Sequence, residues 1–216
     1  MPTAAVLTDS SIHAGGRDRV TAIGLRHRLR TATAEAHARL DEQVRALDLR
    51  GLPEYRRFLE ASTAALLPLE RSLIEAGVAR IFPDWALRSR RHAILHDLAR
   101  VDGVAHPLAA PPRLDFAGVL GTMYVLEGSR LGAQVLLKSV ARSSDAVVTQ
   151  ATAYLSHGAG RHLWQSFLAL LERHAGTLSD DAGAVDGARR AFGLFAQAIA
   201  RMSFQAAQSD DRSGRA

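Results

Sequence analysis

Apolar residues return at three- and four-residue steps through nearly every long stretch of this chain, and that period restricts the fold to packed helices. Leu25, Leu29, Ala32, Ala36, Leu40, Val44 and Leu47 keep one face of a helix predicted over about Leu25–Leu47. Tyr55, Phe58, Leu59, Ser62, Leu66, Leu69 and Leu73 do the same for a second helix. Pro53 opens it in its first turn, Pro68 should kink it, and Gly77 is a plausible cap near Ala76. Asp84 caps a third helix to about Val101, with Ile94, Leu95 and Leu98 inward. Beyond the Pro-rich loop Gly103–Pro112, Asp115 caps a fourth helix to about Arg142. A shorter helix follows near Ala146–Ser156, then a break at Gly158 and Gly160, then a helix over Arg161–Ala175. A last helix spans about Val185–Ala207, with Phe192, Phe195, Ile199 and Met202 inward. Strand-type runs are nearly absent, and the nearest, Ala146–Thr149, is short. The expected class is therefore all-α, in a single-domain helical bundle. The 216 residues suffice for one substantial core. The expected domain covers 23–207, between polar, mobile tails at 1–22 and 208–216.

Composition removes several chemistries. The absence of cysteine excludes disulfides, thiolate metal sites and thiol nucleophiles. No apolar run approaches the roughly 20 residues that cross a bilayer, and the N-terminus lacks a signal-peptide pattern. A cytoplasmic protein with no membrane partner is expected. The net charge of +5 raises nucleic-acid binding as a question. The arginines are spread along most helices, however, and the densest run, Arg88–His92, carries no interleaved aromatics. No nucleic-acid partner is expected. A basic surface equally attracts a dianionic small molecule.

Two segments can carry chemistry. In the first helix, His37 lies beside the apolar stripe and shares a face with Thr33, Leu40 and Val44. Ala34, Ala36 and Ala38 leave room around its imidazole, a good ligand for iron. Arg30 stands two turns earlier on the same face, about 10 Å away, where it can reach a carboxylate at a ligand's edge. The bland alternative is a histidine at a core boundary making one hydrogen bond. The other histidines form no H-E-x-x-H pattern, so a multi-ligand metal site has no support.

In the fourth helix, Gly121, Val125, Gly128 and Gly132 share a face. Two interior glycines cost a helix about 2 kcal/mol relative to alanine, and they let another surface approach or the helix kink. Spacing alone leaves two readings open, tight helix packing through Gly128-x-x-x-Gly132 or a ligand surface. Glu127 and Arg130 read as outward and solvated.

Taken together, Arg30-Thr31-Ala32-Thr33-Ala34-Glu35-Ala36-His37 and Tyr124-Val125-Leu126-Glu127-Gly128-Ser129-Arg130-Leu131-Gly132 resemble the proximal and distal segments of the bacterial heme oxygenase family. Tyr55-Arg56-Arg57-Phe58-Leu59 and Pro68-Leu69-Glu70 are similar to its second helix, and the resemblance runs in order over about Leu25–Gln205. It implies heme b (iron protoporphyrin IX), as substrate and cofactor, sandwiched between the first, proximal helix and the fourth, glycine-kinked distal helix. His37 would be the metal ligand. Gly128, Ser129 and Gly132 would form the catalytic distal face, with Thr33, Tyr124 and Val125 also lining the heme. Arg30, Tyr124 and Arg161 would meet the propionates, or Lys138 and Arg142 if the heme is rotated in its plane. O2 and an external electron donor, a ferredoxin or flavoprotein reductase, would be consumed. Biliverdin, carbon monoxide and ferrous iron would be released, with a bacteriophytochrome as a candidate recipient of biliverdin.

Ser129 departs from the aspartate that many members carry after the first distal glycine. A hydroxyl can hold a water but cannot act as a carboxylate base. That departure sustains an alternative, a non-catalytic heme carrier or sensor on the same fold. A thiamin-degrading enzyme of related fold would usually rely on the cysteine this chain lacks. A nucleic-acid module would show salt-dependent DNA affinity and no Soret band.

Overall fold

The computed structural model describes residues 17–213, with side chains over 24–203. Of the expected tails, residues 1–16 and 214–216 lie outside the described residues. Within them all regular structure is helical, without a strand. The helices are α1 (Arg17–Arg45), α2 (Leu52–Glu75), α3 (Val78–Ile81), α4 (Trp85–Arg88), α5 (Arg91–Arg100), α6 (Phe116–Val140), α7 (Ala146–Gln150), α8 (Ala153–Ser156), α9 (Leu163–Ala175) and α10 (Ala182–Ser213). Helices α1 and α10 thus reach further into the expected tails than their periodicity suggests.

Helix α2 is the hub. All seven residues of its predicted inner face are buried, and burial runs unbroken from Ala61 to Leu66. A helix apolar on most of its circumference must be covered on most of it, and α10 and α5 pack against α2. Gly77 takes the left-handed conformation at φ 76°, one residue past the C-cap at Ala76. In α1, Leu25 and Leu29 are buried, but Ala32, Ala36, Leu40 and Val44, and Leu47 just beyond the helix, are only partly covered. The predicted stripe is therefore half open in its second half.

The single helix expected over Asp84–Val101 is broken. Ser89 is extended between α4 and α5. The buried Glu70 of α2 explains the break: it accepts the Ser89 hydroxyl at 2.5 Å and the Arg90 amide at 2.6 Å, capping α5 from outside the segment. Asp84 caps no amide and instead grips Arg88 through two bonds of 2.8 and 2.7 Å. Leu95 is exposed rather than inward. Likewise the helix expected over Ala146–Ser156 splits, because buried Asp97 takes the Tyr154 amide at 2.7 Å and Ala151 turns its carbonyl to Tyr55.

Helix α6 starts as its sequence predicts, with the Asp115 carboxylate accepting the Gly118 amide at 2.7 Å. It packs chiefly on α10, and α10 also holds α1 and α2. Helices α1 and α6 scarcely touch each other; α9 and α10 bridge them.

Candidate functional site

The glycines share one face of α6 but meet different surroundings along it. A Cβ on Gly121 would run into the Ala184 carbonyl, 2.7 Å from its carbon and 2.9 Å from the Ala188 nitrogen. Gly121 is therefore a packing glycine, there to admit the α10 backbone. A Cβ on Gly128 would meet only the Trp164 ring, at 3.6 Å, and one on Gly132 would meet nothing within 4 Å. Tight helix packing is thus the answer at Gly121 and an open face the answer at Gly132. Leu131 and Val135, 51% and 67% exposed, extend that face, with half-buried Tyr124 at its start. An apolar stripe with a bare backbone beside it suits a flat apolar ligand.

The inward face is the opposite of what its sequence suggests. Glu127 and Arg130 are buried, not solvated. Glu127 binds Arg88 at 2.8 Å and Arg130 at 2.9 and 3.0 Å. Arg88 and Arg90, two of the arginines in the densest basic run, are also buried. The densest basic run thus spends two of its charges inside the protein.

On α1, His37 is 61% exposed. Its Nδ1 lies 3.2 Å from the Asp41 carboxylate, one turn on, and its ring stands edge-on to Phe192 of α10 at 5.8 Å. With the Asp41 carboxylate beside Nδ1, Nε2 is the ring nitrogen left to face a ligand. Arg30 is exposed. Arg26 and Arg30 lie close enough to Tyr124 to pull its phenol pKa down, although burial is the larger effect and raises it. The first half of α1 and the start of the α6 stripe thus form one basic, phenol-bearing corner, with Trp164 5.7 Å from Tyr124.

The remaining expected residues are scattered. Thr33 is buried and donates its hydroxyl to the Leu29 carbonyl at 2.7 Å. Val125 sits in the main core. Ser129 donates to the Leu126 carbonyl at 2.8 Å and accepts from Arg90 at 3.0 Å, so its one proton is committed inward. Arg161 is exposed, and its charge is felt at His157 rather than at Tyr124. Lys138 and Arg142 are exposed at the far end of α6, with Lys138 about 21 Å of helix axis from Tyr124. Asp41, Phe192, Trp164 and Arg26 join the site without having been singled out from sequence. Only Asp41 carried a local signal, its i+4 spacing from His37.

Among the described residues no three His, Asp or Glu side chains gather as a metal site, and no helix is long and apolar enough to cross a membrane. A metal carried within a flat ligand would suit the open stripe and the exposed imidazole of His37.

Comparison with known proteins points the same way. The family model for heme oxygenase matches residues 76–201. Heme oxygenase PigA of Pseudomonas aeruginosa is 30% identical over 183 residues, covering 81% of this chain and 90% of PigA. A heme oxygenase of Xanthomonas campestris pv. campestris is 25% identical over 146 residues, 68% of this chain and 88% of its own. In structure, the NO- and CO-bound heme oxygenase of Neisseria meningitidis superimposes with a TM-score of 0.66 at 21% identity, over 82% of this chain and 91% of that one.

Proposed function

The chain belongs to the heme oxygenase family and is an enzyme of it, and on that premise we propose that it degrades heme b to biliverdin, carbon monoxide and ferrous iron between α1 and α6. When bound, heme supplies the iron that activates O2 and the meso carbon that is attacked. The protein's residues supply the seat. His37 would hold the iron through Nε2, with the Asp41 carboxylate 3.2 Å from Nδ1 on the other side of the ring. Leu131 and Val135 would give the macrocycle an apolar wall, the bare backbone at Gly132 leaves room beside it, and Gly128 lies under the Trp164 ring. Arg26, Arg30 and Tyr124 receive a propionate at the basic corner. Ser129 delivers no proton, since its own is held by Leu126. Water admitted over Gly132 carries protons instead. Electrons come from a ferredoxin or flavoprotein reductase in the cytoplasm, and a bacteriophytochrome is the candidate consumer of biliverdin.

The observation that carries this reading is the exposed apolar and glycine stripe of α6, with an outward, carboxylate-oriented histidine on the neighbouring helix. Hemin titration followed by O2 and reductant tests it. A Soret band should form, then decay as bilin absorbance rises. A persistent Soret band without bilin would reduce the protein to a heme carrier or sensor. No Soret band at all would reject the site.

A further inference from the structure

Glu127 is 1% exposed, and none of the chemistry above uses it. It immediately precedes Gly128, and Arg130 stands between Gly128 and Gly132. At about 100° per residue, Glu127 and Arg130 project from the side of α6 opposite the two glycines. Glycines offer no side chain by which the ligand-facing wall could be held from the front. Two of them also loosen the helix.

What lies behind them is tightly connected. Arg88, with a fully buried side chain, joins Glu127 to Asp84 and donates to the Leu163 carbonyl at 3.0 Å and the Ser166 hydroxyl at 2.9 Å. Arg130 donates to the Arg88 carbonyl at 2.5 Å, the His157 ring at 3.1 Å and the His157 carbonyl at 3.2 Å. The network thus ties α6 to α4, to the turn after α8 and to the start of α9, where Trp164 stands over Gly128. Buried ion pairs are poor stabilisers, because desolvation offsets their attraction, but removing one partner leaves the other charge buried and uncompensated.

We infer that Arg88, Glu127 and Arg130 are positioning residues that clamp the Gly128–Gly132 backbone, together with Trp164, from behind the site. The inference rests on reading that backbone as the wall facing heme. Glu127→Gln keeps the shape and removes the charge both guanidiniums share. Arg130→Lys keeps the charge and removes the fork.

The test measures amide hydrogen exchange in the apoprotein, the hemin Soret titration and single turnover for both variants against the unaltered protein. Both variants should exchange faster over Val125–Gly132, bind hemin with near-unchanged affinity, and turn over about tenfold more slowly, as a small misplacement of reacting groups does. Unchanged exchange over Val125–Gly132 in a folded variant would overturn the clamp. So would a loss of hemin affinity equal to the loss of turnover, since the network would then hold the fold rather than the geometry. If Glu127→Gln does not fold, Arg130→Lys decides by the same readouts. An unaltered protein that takes up no hemin would overturn the heme reading, and apoprotein exchange would still decide the clamp.

Discussion

At the scale of single residues, the pair His37–Asp41 and the lone His157 make opposite uses of imidazole. Asp41 engages His37 at an exposed site, and its removal should cost the metal bond rather than the fold. Asp41→Asn is expected to weaken hemin binding about tenfold, as loss of a ligand's carboxylate partner typically does, and to lower the iron–imidazole stretching frequency. An unchanged frequency would mean that Asp41 does not orient the ligand. His157 is held neutral, with its pKa lowered from 6.5 to about 4 by burial first and then by the charges of Arg130, Arg90 and Arg161. Between those values the unfolded chain binds a proton that the folded chain refuses, so stability present above pH 6.5 is lost as pH falls towards about 4. His157→Gln should flatten thermal midpoints over that window. Parallel curves for the two proteins would refute the assignment. His37 and Asp41 were within reach of sequence reasoning because helix spacing makes them neighbours. Arg88 and Glu127 were not, because 39 positions separate them and only the packing of α4 on α6 joins them.

Among elements, α6 separates two uses of glycine that look identical as spacing. Gly121→Ala would drive a Cβ into the α10 backbone, which cannot retreat as a side chain can. A destabilisation of about 3 kcal/mol is expected, visible as a lower denaturation midpoint. Gly132→Ala meets nothing and should raise helix stability by about 1 kcal/mol while impairing turnover, because the added methyl occupies the ligand side. If both variants lost stability, the open face of α6 would be misassigned. The ends of α2 and α6 followed from Pro53 and Asp115, which act within their own turns. The break between α4 and α5 did not, because the group that makes it, Glu70, belongs to another helix. Local chemistry writes helix starts into the sequence, whereas a cap supplied from across the fold leaves no nearby mark.

For the whole molecule, the consequence is an uneven division of order. Helices α2, α6 and α10 form the packed body, while from Ala34 to Arg45 no α1 side chain is fully buried. Helix α1 is held by α10 and α9, and its half-covered seam of Ala36, Leu40 and Val44 contributes only part of the burial it could. A ligand bonded to His37 and stacked on α6 would join two helices that scarcely touch each other directly. Binding that selects the closed arrangement must protect α1 in proportion to its affinity, because it adds free energy only to conformations in which both walls are in place. Amides of 34–45 should therefore exchange faster than those of α2 in the apoprotein and slow markedly when hemin is added. In His37→Ala that slowing should largely disappear even where hemin still partitions onto the α6 stripe. If hemin protected α6 but left α1 unchanged in the unaltered protein, α1 would not be the proximal wall, and the assignment of His37 would fall with it.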